Sequence, residues 1–361
     1  MSGPILVLVG ARPNLVKLAP LLRAFGKASI PTIVTHTGQH FDFNMSEAFF
    51  RALSIPEPDV HLGIHNKSRI GQAAEIIGKL EKVFVDHAPR IVCVIGDVTS
   101  TLAGAVAAAS ADIPVAHIEA GLRSLDRSMP EEINRVMTDS IADWYFVSEP
   151  AGVEHLLREN QPREKIHLVG DLIVDSLREQ EEDARHLEIW RRWGLECGGY
   201  AAITLHRPAN VDDPQAMAEC LEVLRQVGER MPFVFPLHPR TRRRLEEHGL
   251  LEAFNRLPGL HACGPLDYLE FLSLLTGSRL VLSDSGGIQL EATILNLPCL
   301  TLRDTTERPM TVEQGTNTLV SRDARRIVRL VADVCEGRYK KATLPPYWDG
   351  HTGARIAQIL A

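Results

Sequence analysis

The chain has 361 residues, of which 45% are hydrophobic and 24% are charged. Because a chain of this length exceeds what one hydrophobic core usually holds, we expect two domains. The formal net charge of −7 argues against nucleic acid as a partner, because a phosphate backbone requires a clustered basic surface, but it allows a small anionic ligand. The sequence has no apolar run of about 18 residues and no basic, apolar leader, so it predicts neither a membrane span nor a secretory signal.

Short apolar segments alternate with amphipathic segments of helical periodicity along the chain. The apolar segments lack the alternation of a half-exposed strand, and they are typical of parallel strands that helices cover on both faces. We expect strands in a first series over 4–9, 32–35, 91–95, 115–118, 144–147 and 166–169, and in a second series over 201–205, 233–236, 280–282 and 299–302.

The two successive series predict an α/β fold with two Rossmann-like, doubly wound parallel-sheet domains. We expect the first domain over 1–170 and the second over 171–345, with the boundary near Gly170–Asp175. The residues after Pro345 are expected to form a last helix within 346–361 that packs back on the first domain.

In open parallel sheets, ligands bind at the carboxyl ends of the strands, and five motifs occupy such positions here. The first is Gly10-Ala11-Arg12-Pro13, followed by Lys17, after the first predicted strand. Arg12 and Lys17 would flank a helix N-terminus, which favours anions. Two surface cations on a helix explain the same residues equally well.

Three carboxylates occupy the second and third motifs, both in the first predicted domain. Asp97 follows the strand 91–95, and Glu119 ends the next one. Glu131 lies in a helical segment, four residues before Arg135. Taken alone, Asp97 is explained by helix capping, and Glu131 with Arg135 by a helix salt bridge. A buried carboxylate without a partner is costly, however, and three carboxylates together can supply both an acid and a base.

The fourth motif is His206-Arg207, which follows the strand that opens the second series. A histidine on its own is more often structural than catalytic. A His-Arg pair at the carboxyl end of a strand fits a structural role and a ligand-binding role equally well.

The fifth motif is Ser285-Gly286-Gly287, which leads from a predicted strand into a helix. Its consecutive backbone N–H groups would form a cradle for a phosphate without any side-chain charge. Glu291, further along the helix, is placed to accept hydrogen bonds from a ribose diol, and Arg308 lies in a later loop near the same edge.

Patterns for metal or cofactor chemistry do not occur in the sequence. The pairs His36/His40 and His61/His65 have i,i+4 spacing but no third ligand and no HExxH pattern, so we expect no metal. The first turn is not GxGxxG, so we expect no nicotinamide cofactor, and no GxSxG elbow supports a serine hydrolase. The six cysteines form no CxxC pair, which indicates reduced thiols and a cytoplasmic protein.

Six segments together carry a resemblance to a known family: GARPNLVKLAP, IGDVTSTLA, HIEAGLRS, MPEEINR, SDSGGIQLEA and RDTTERP. From Val7 to about Val320 the chain resembles the non-hydrolysing UDP-N-acetylglucosamine 2-epimerases. The resemblance implies the two-domain fold of GT-B glycosyltransferases, an active site in the cleft between the domains, a homodimer and no cofactor. It further implies reversible epimerisation at C2 of UDP-N-acetylglucosamine to UDP-N-acetylmannosamine, by elimination of UDP to a 2-acetamidoglucal and readdition of UDP. The implied role is in the synthesis of cell-surface polysaccharides.

The same resemblance implies roles for single residues. The catalytic set is Asp97, Glu119, Glu131 and His206, and the sequence does not decide which carboxylate acts on which face of C2. The substrate-binding set is Arg12, Lys17, Arg135, Arg207, Phe271, Ser285, Gly286, Gly287, Glu291 and Arg308. Within it, Arg12 and Lys17 lie near the phosphates and the sugar. The Ser-Gly-Gly turn and Arg308 bind the diphosphate, Glu291 binds the ribose, and Phe271 lies near the uracil.

Two segments depart from the family pattern. Pro-Ala-Asn at 208–210 follows the His-Arg pair where many relatives have Arg-Glu. Gln-His at 39–40 continues as Phe-Asp-Phe-Asn instead of a polar or basic segment. The sequence therefore does not predict the allosteric activation by a second UDP-N-acetylglucosamine that many bacterial members show.

Four alternatives stay open. A 2-epimerase of a related UDP-sugar, such as UDP-2,3-diacetamido-glucuronate, would use the same catalytic set. A GT-B glycosyltransferase would share the scaffold and the diphosphate loop but needs one base only, and a hydrolysing epimerase would release free N-acetylmannosamine. A sensor that binds the UDP-sugar without catalysis is the remaining alternative.

Overall fold

The computed structural model of the protein describes residues 3–38, 55–66 and 68–361. At Arg12 and Pro13 it describes the backbone alone. The side chain of Arg12, predicted to bind the substrate, therefore lies outside the described residues, as do the Gln-His pair at 39–40 and the segment that follows it.

The chain forms two compact units. Unit 1 comprises the residues up to Arg178 and the C-terminal segment Pro346–Ala361, and unit 2 comprises Glu179–Pro345. Each unit is built on one parallel sheet with helices between its strands, so the predicted α/β fold with two Rossmann-like domains is confirmed. None of the helices within the described ranges is both long and apolar enough to cross a membrane.

Unit 1 contains a seven-stranded parallel sheet with the strand order β3-β2-β1-β4-β5-β6-β7. Its strands are β1 (Ile5–Val9), β2 (Thr32–His36), β3 (Val60–His61), β4 (Ile91–Ile95), β5 (Val115–Ala120), β6 (Trp144–Val147) and β7 (Ile166–Leu168). The direction in which strands are added reverses at β1 and β4, which pair with Ile5 opposite Ile91. The carboxyl ends at such a switch point form a crevice, where ligands bind in open α/β sheets.

The helices of unit 1 pack against a sheet whose central strands are buried along their whole length. Those within the described residues are α1 (Arg12–Lys27), α2 (Arg69–His87), α3 (Thr99–Ser110), α4 (Pro130–Ile141), α5 (Pro150–Arg158) and α6 (Leu172–Leu187), which continues into unit 2. All residues of β1 and β4 are buried, which explains their apolar sequences ILVLV and IVCVI. Helix α3 packs closely on β1 because Gly104 has no side chain, and a Cβ there would lie 2.2 Å from Leu8 Cδ2.

Unit 2 contains a six-stranded parallel sheet with the strand order β10-β9-β8-β11-β12-β13. Its strands are β8 (Ala201–Thr204), β9 (Phe233–Pro236), β10 (Leu260–Cys263), β11 (Leu280–Ser283), β12 (Cys299–Thr301) and β13 (Asn317–Leu319). The order reverses at β8 and β11, where Ala201 lies opposite Leu280. The same switch-point arrangement therefore recurs in the second unit.

The helices of unit 2 begin mostly at proline or at a capping side chain. They are α7 (Pro208–Val211), α8 (Pro214–Gly228), α9 (Pro239–Glu247), α10 (Leu251–Asn255), α11 (Tyr268–Gly277), α12 (Gly286–Ile294), α13 (Pro309–Glu313) and α14 (Ala324–Cys335). Asp267 caps α11, accepting from Glu270 N at 2.8 Å, and the Glu270 carboxylate accepts from Asp267 N at 3.3 Å.

The C-terminal segment belongs to unit 1 and ends in helix α15 (Thr352–Leu360), which packs on α1. The carboxylate of Asp175 accepts from Thr352 N (3.1 Å) and Gly353 N (2.8 Å), so it caps the start of the helix. The buried indole of Trp348 donates to the carbonyl of Ser148 at 3.0 Å. These contacts fix the tail on the first unit.

Candidate active site

The carboxyl edge of the unit 1 sheet holds a buried ion pair between Lys17 on α1 and Glu119 at the end of β5. Lys17 Nζ donates to Glu119 Oε2, and the two residues are only 7% and 5% exposed. Charges buried to this degree are tolerated when they are paired. Asn14 fixes the start of α1 at the same edge, since its side chain accepts from Ala11 N (3.1 Å) and donates to the Ile95 carbonyl (3.0 Å).

The backbone of Glu119 is strained. Its φ angle is +72°, in the left-handed region, and the pairing of β5 with β6 shifts register between Ile118 and Ala120. Such an irregularity redirects a side chain at a strand end, and the backbone strain costs about 1–3 kcal/mol. Gly96, just after β4, makes room for the carboxylate, because a Cβ there would lie 3.1 Å from Glu119 Oε2 and 3.7 Å from Lys17 Nζ.

Asp97, the residue after Gly96, is held by Arg135 from α4. Arg135 Nε and Nη2 donate to the same carboxylate oxygen, Asp97 Oδ2, at 3.0 and 2.6 Å. The side chain of Asn134 donates to the Asp97 carbonyl at 2.7 Å. Arg135 is buried, and its Nη1 donates to Glu132 Oε2 at 2.8 Å. Arg135, predicted to contact the substrate, thus links two carboxylates of the protein.

Glu132 is a buried carboxylate that the sequence pattern did not indicate. It accepts from Ser124 N (2.8 Å), Ser124 Oγ (3.0 Å) and Leu125 N (3.0 Å). Burial raises the pKa of Glu132, but these hydrogen bonds and the one from Arg135 outweigh the effect and hold the pKa below its usual value. Glu132 therefore stays ionised, and it anchors the loop that precedes α4.

Glu131, in the first turn of α4, has different surroundings. It is half-buried and makes no hydrogen bond or ion pair with any of the described residues. The three predicted carboxylates therefore differ: Glu119 is paired with a lysine, Asp97 with an arginine, and Glu131 with no described side chain. Groups in such different environments can serve as acid and as base in one reaction.

In unit 2, His206 and Asp284 join the carboxyl ends of the neighbouring strands β8 and β11. His206 Nδ1 lies 3.1 Å from Asp284 Oδ1, and Asp284 also accepts from Arg207 N (2.9 Å) and Asn210 Nδ2 (3.1 Å). Burial raises the pKa of Asp284, but the hydrogen bond and charge of His206, with the other donors, lower it on balance. Asp284 thus orients the imidazole through Nδ1, and Nε2 makes no hydrogen bond with the described residues.

The Ser285-Gly286-Gly287 segment forms the turn from β11 into α12, with Ser285 at the N-cap and the glycines as the first helical residues. A Cβ at Gly286 would lie 2.3 Å from Glu307 Oε1, so a side chain there would displace this carboxylate. The Glu307 carboxylate accepts from Arg303 Nη2 at 2.7 Å, and this ion pair offsets the negative charge of Glu307 beside the N-terminus of α12. The turn therefore fits a close approach of the backbone to a ligand.

Gln289 on α12 ties this turn to the loop that carries Arg308. Gln289 is fully buried, and its Oε1 accepts from Thr306 Oγ1 (2.7 Å) and Asn317 Nδ2 (2.9 Å). Thr306 Oγ1 in turn accepts from Arg308 N at 3.0 Å. The buried Arg308, at the N-cap of α13, is thereby held at the same sheet edge as the Ser-Gly-Gly turn.

Glu291 on α12 and Tyr268 on α11 are buried neighbours, each 8% exposed. Burial raises the pKa of Glu291 to about 7, and the nearby Tyr268 hydroxyl offsets part of the shift. Phe271, one turn further along α11, is half-buried and packs against the core around Leu274. A buried carboxyl beside a buried hydroxyl is suited to a polyhydroxylated ligand.

Comparisons with known proteins agree on one family. A family model described as UDP-N-acetylglucosamine 2-epimerase matches residues 23–361. The UDP-N-acetylglucosamine 2-epimerase of Methanocaldococcus jannaschii is 38% identical over 359 residues, which cover 98% of each chain. The UDP-2,3-diacetamido-2,3-dideoxy-D-glucuronate 2-epimerase of Pseudomonas aeruginosa is 40% identical over 366 residues, which cover 99% of each chain.

Solved structures give the same result. The structure of the M. jannaschii UDP-GlcNAc 2-epimerase in complex with UDP-GlcNAc and UDP is similar with a TM-score of 0.91 at 38% identity, covering 99% of each chain. The UDP-GlcNAc 2-epimerase from Neisseria meningitidis bound to UDP-GlcNAc has a TM-score of 0.89 at 31% identity, again covering 99% of each chain. The similarity therefore extends over both units.

Proposed function

Because the chain belongs to the UDP-N-acetylglucosamine 2-epimerase family, we propose that this enzyme interconverts UDP-N-acetylglucosamine and UDP-N-acetylmannosamine by inverting C2. The observation that carries the proposal is the edge of the unit 1 sheet. There Glu119 is paired with Lys17, Asp97 is held by Arg135, and Glu131 lies nearby on α4 without a described partner. A reaction that removes a proton on one face of a carbon and returns it on the other requires two such groups.

The chemistry that fits these groups is elimination and readdition. The C1–O bond to the diphosphate breaks and its electron pair leaves with UDP, while a carboxylate takes the proton from C2. The C1–C2 double bond of 2-acetamidoglucal results. UDP then adds back to C1 as a second carboxylic acid delivers a proton to the opposite face of C2. No electron is lost or gained overall, so the scheme requires no redox cofactor.

Unit 1 supplies the acid and the base in this scheme, drawn from Asp97, Glu119 and Glu131. Each proton transfer contributes on the order of 10²–10⁴ in rate when the group is well placed. Lys17 holds the Glu119 carboxylate in place at the sheet edge. Glu131, in the first turn of α4, has no described ion-pair partner, so a proton transfer there breaks no ion pair.

Unit 2 supplies the groups for the leaving diphosphate and the nucleoside. The N–H groups at the start of α12 and the cation Arg308 stabilise the charge that develops on the diphosphate as the C1–O bond breaks. His206, oriented by Asp284, donates from Nε2 to the same group. Glu291 accepts hydrogen bonds from the ribose hydroxyls. Arg12, Arg207 and Phe271 complete the proposed binding set.

A second candidate substrate is UDP-2,3-diacetamido-2,3-dideoxy-D-glucuronate. The observation that favours it is the 40% identity to the P. aeruginosa enzyme that bears this name, over 99% of both chains. The C2 chemistry and the proposed acid and base are the same for both sugars. The two substrates differ at C3 and C6 of the ring, so the choice between them depends on contacts to those positions.

The test is to incubate the protein with UDP-N-acetylglucosamine in D₂O and to follow the sugar by proton NMR. We expect UDP-N-acetylmannosamine to appear, with deuterium at C2 of both epimers. Exchange with the diacetamido-glucuronate alone would establish the second candidate, and release of free N-acetylmannosamine would establish a hydrolysing enzyme. Glu131→Gln is expected to lower the rate at least 10²-fold, whereas the control Glu154→Gln, an exposed carboxylate on α5, leaves it unchanged.

A further inference from the structure

Asp139, near the C-terminal end of α4, is a fully buried carboxylate behind the edge that carries the three proposed catalytic carboxylates. Its Oδ1 lies 2.6 Å from His117 Nδ1. Its Oδ2 accepts from Gly121 N at 3.0 Å and lies 2.7 Å from Arg123 Nη2. We call these four residues the Asp139 cluster.

The contacts of His117 fix the orientation of its ring. His117 Nε2 lies 2.8 Å from the Gly96 carbonyl, which can only accept, so Nε2 carries a hydrogen. Burial raises the pKa of Asp139, but the charges and hydrogen bonds of His117 and Arg123 outweigh it and lower the pKa on balance. His117 Nδ1 faces the Asp139 carboxylate at 2.6 Å, so both ring nitrogens are engaged and the ring is held in one orientation.

The cluster connects the three chain segments that hold the proposed catalytic carboxylates. Through His117 it holds the carbonyl of Gly96, the residue before Asp97, and a Cβ on Gly96 would lie 3.1 Å from Glu119 Oε2. Through Gly121 N it holds the residue two positions after Glu119. The third segment is α4 itself, which bears Asp139 and Glu131.

Gly121 shows how tightly the second of these segments is fixed. Its φ is +79°, and a Cβ on it would lie 2.3 Å from the Gly152 carbonyl oxygen. His155 Nδ1 lies 2.9 Å from the Gly121 carbonyl oxygen, so the backbone N–H and the backbone carbonyl of Gly121 both have a partner. The backbone conformation of Glu119 is unfavourable by itself. The hydrogen bonds of Gly121, two residues later, therefore help to hold it.

We propose that Asp139 and His117 are positioning residues, whose buried hydrogen-bonded pair sets the distances between Asp97, Glu119 and Glu131. The inference rests on the proposed function, since it concerns the placement of the acid and the base for C2. Both side chains are fully buried, so they act on the site through the residues that they bind. A buried polar pair adds little to stability compared with an apolar pair, so its effect is expected in the geometry of the site. A displacement of about 1 Å in such a site can lower the rate on the order of 10²-fold.

The experiment uses Asp139→Asn in the full chain, because asparagine keeps the shape and loses the charge. We expect kcat for UDP-N-acetylglucosamine epimerisation to fall on the order of 10²-fold, with KM changed less than about threefold. The control is Glu159→Gln, which removes the half-exposed partner on the other side of Arg123 and is expected to change kcat less than twofold. A kcat of Asp139→Asn within twofold of the wild-type value would overturn the inference.

A second measurement does not depend on whether the variant folds. Nitrogen-15 labelling of the histidines of the wild-type protein should show both ring nitrogens of His117 in hydrogen bonds, Nδ1 with Asp139 and Nε2 with the Gly96 carbonyl. A ring nitrogen of His117 without a hydrogen bond would overturn the inference. If the wild-type protein shows both hydrogen bonds but does not exchange C2 of either UDP-sugar, then the proposed function fails while the positioning pair stands.

Discussion

Lys17 and Glu119 form a buried ion pair between the second turn of α1 and the irregular end of β5. The pair joins two parts of the unit 1 sheet edge that are 102 residues apart in the chain. Glu119 itself has a positive φ angle, so the pair holds a buried carboxylate at a strained position. The desolvation of the carboxylate is tolerable because Lys17 compensates its charge.

The first prediction concerns this pair. Lys17→Met leaves the Glu119 carboxylate buried without its partner, and we expect the free energy of unfolding to fall by about 3–5 kcal/mol. Lys17→Met combined with Glu119→Gln removes both charges and should recover at least half of that loss. Urea denaturation of the two variants measures the difference, and equal losses in the single and the double variant would show that the two charges are not coupled.

The second prediction concerns Gly96, which has a φ of +72° directly beneath the Glu119 carboxylate. Gly96→Ala should cost about 1–3 kcal/mol of stability, because alanine is strained at this φ. It should also lower the rate of C2 exchange at least tenfold, since the new methyl group displaces the carboxylate. The control is Gly78→Ala on the exposed face of α2, where a Cβ meets no atom within 4 Å. That change should stabilise the protein by about 0.5–1 kcal/mol without altering the rate.

The sequence predicted the interior of both sheets and missed three edge strands. The strands at the centre of each sheet are continuous apolar runs, since both of their faces and both of their edges are covered. β3, β10 and β13 lie at the sheet edges, and their sequences VH, LHAC and NTL mix apolar and polar residues. The hydrophobic pattern of these three segments does not distinguish them from loops. They are strands because they form hydrogen bonds with the neighbouring strand, and not because their own residues are buried.

The site residues that the sequence predicted lie in or next to glycine-rich or charged motifs. The residues that it missed contact partners that are far away in the sequence. Asp284 lies 78 residues from His206, and Asp139 lies 22 residues from His117. Each pair meets only because particular strands and helices are neighbours in the fold. A sequence shows which residues end a strand, but it does not show the strand order that brings two ends together.

The third prediction concerns pH. Burial raises the pKa of Glu291 from 4.5 to about 7, so the unfolded chain releases this proton at a lower pH than the folded protein does. The stabilising contribution is therefore fully present below about pH 4.5 and is lost as the pH rises through 7, by about 3 kcal/mol in total. Glu291→Gln should remove this loss. Unfolding free energies of both proteins between pH 4.5 and 8 give the difference, and a constant difference would contradict the raised pKa.

The last prediction concerns Asp284, which holds His206 Nδ1 at 3.1 Å and is itself fully buried. Asp284→Asn removes the charge that fixes His206 Nδ1, so the imidazole is free to turn. We expect kcat for epimerisation to fall on the order of 10²-fold, because Nε2 is no longer held toward the diphosphate. The control is Asp212→Asn, whose carboxylate pairs with Arg240 and Arg244 on α9 and should leave kcat within twofold. If Asp284→Asn folds normally and keeps the wild-type kcat, then His206 does not donate to the leaving group, and the cations and N–H groups of unit 2 must stabilise it alone.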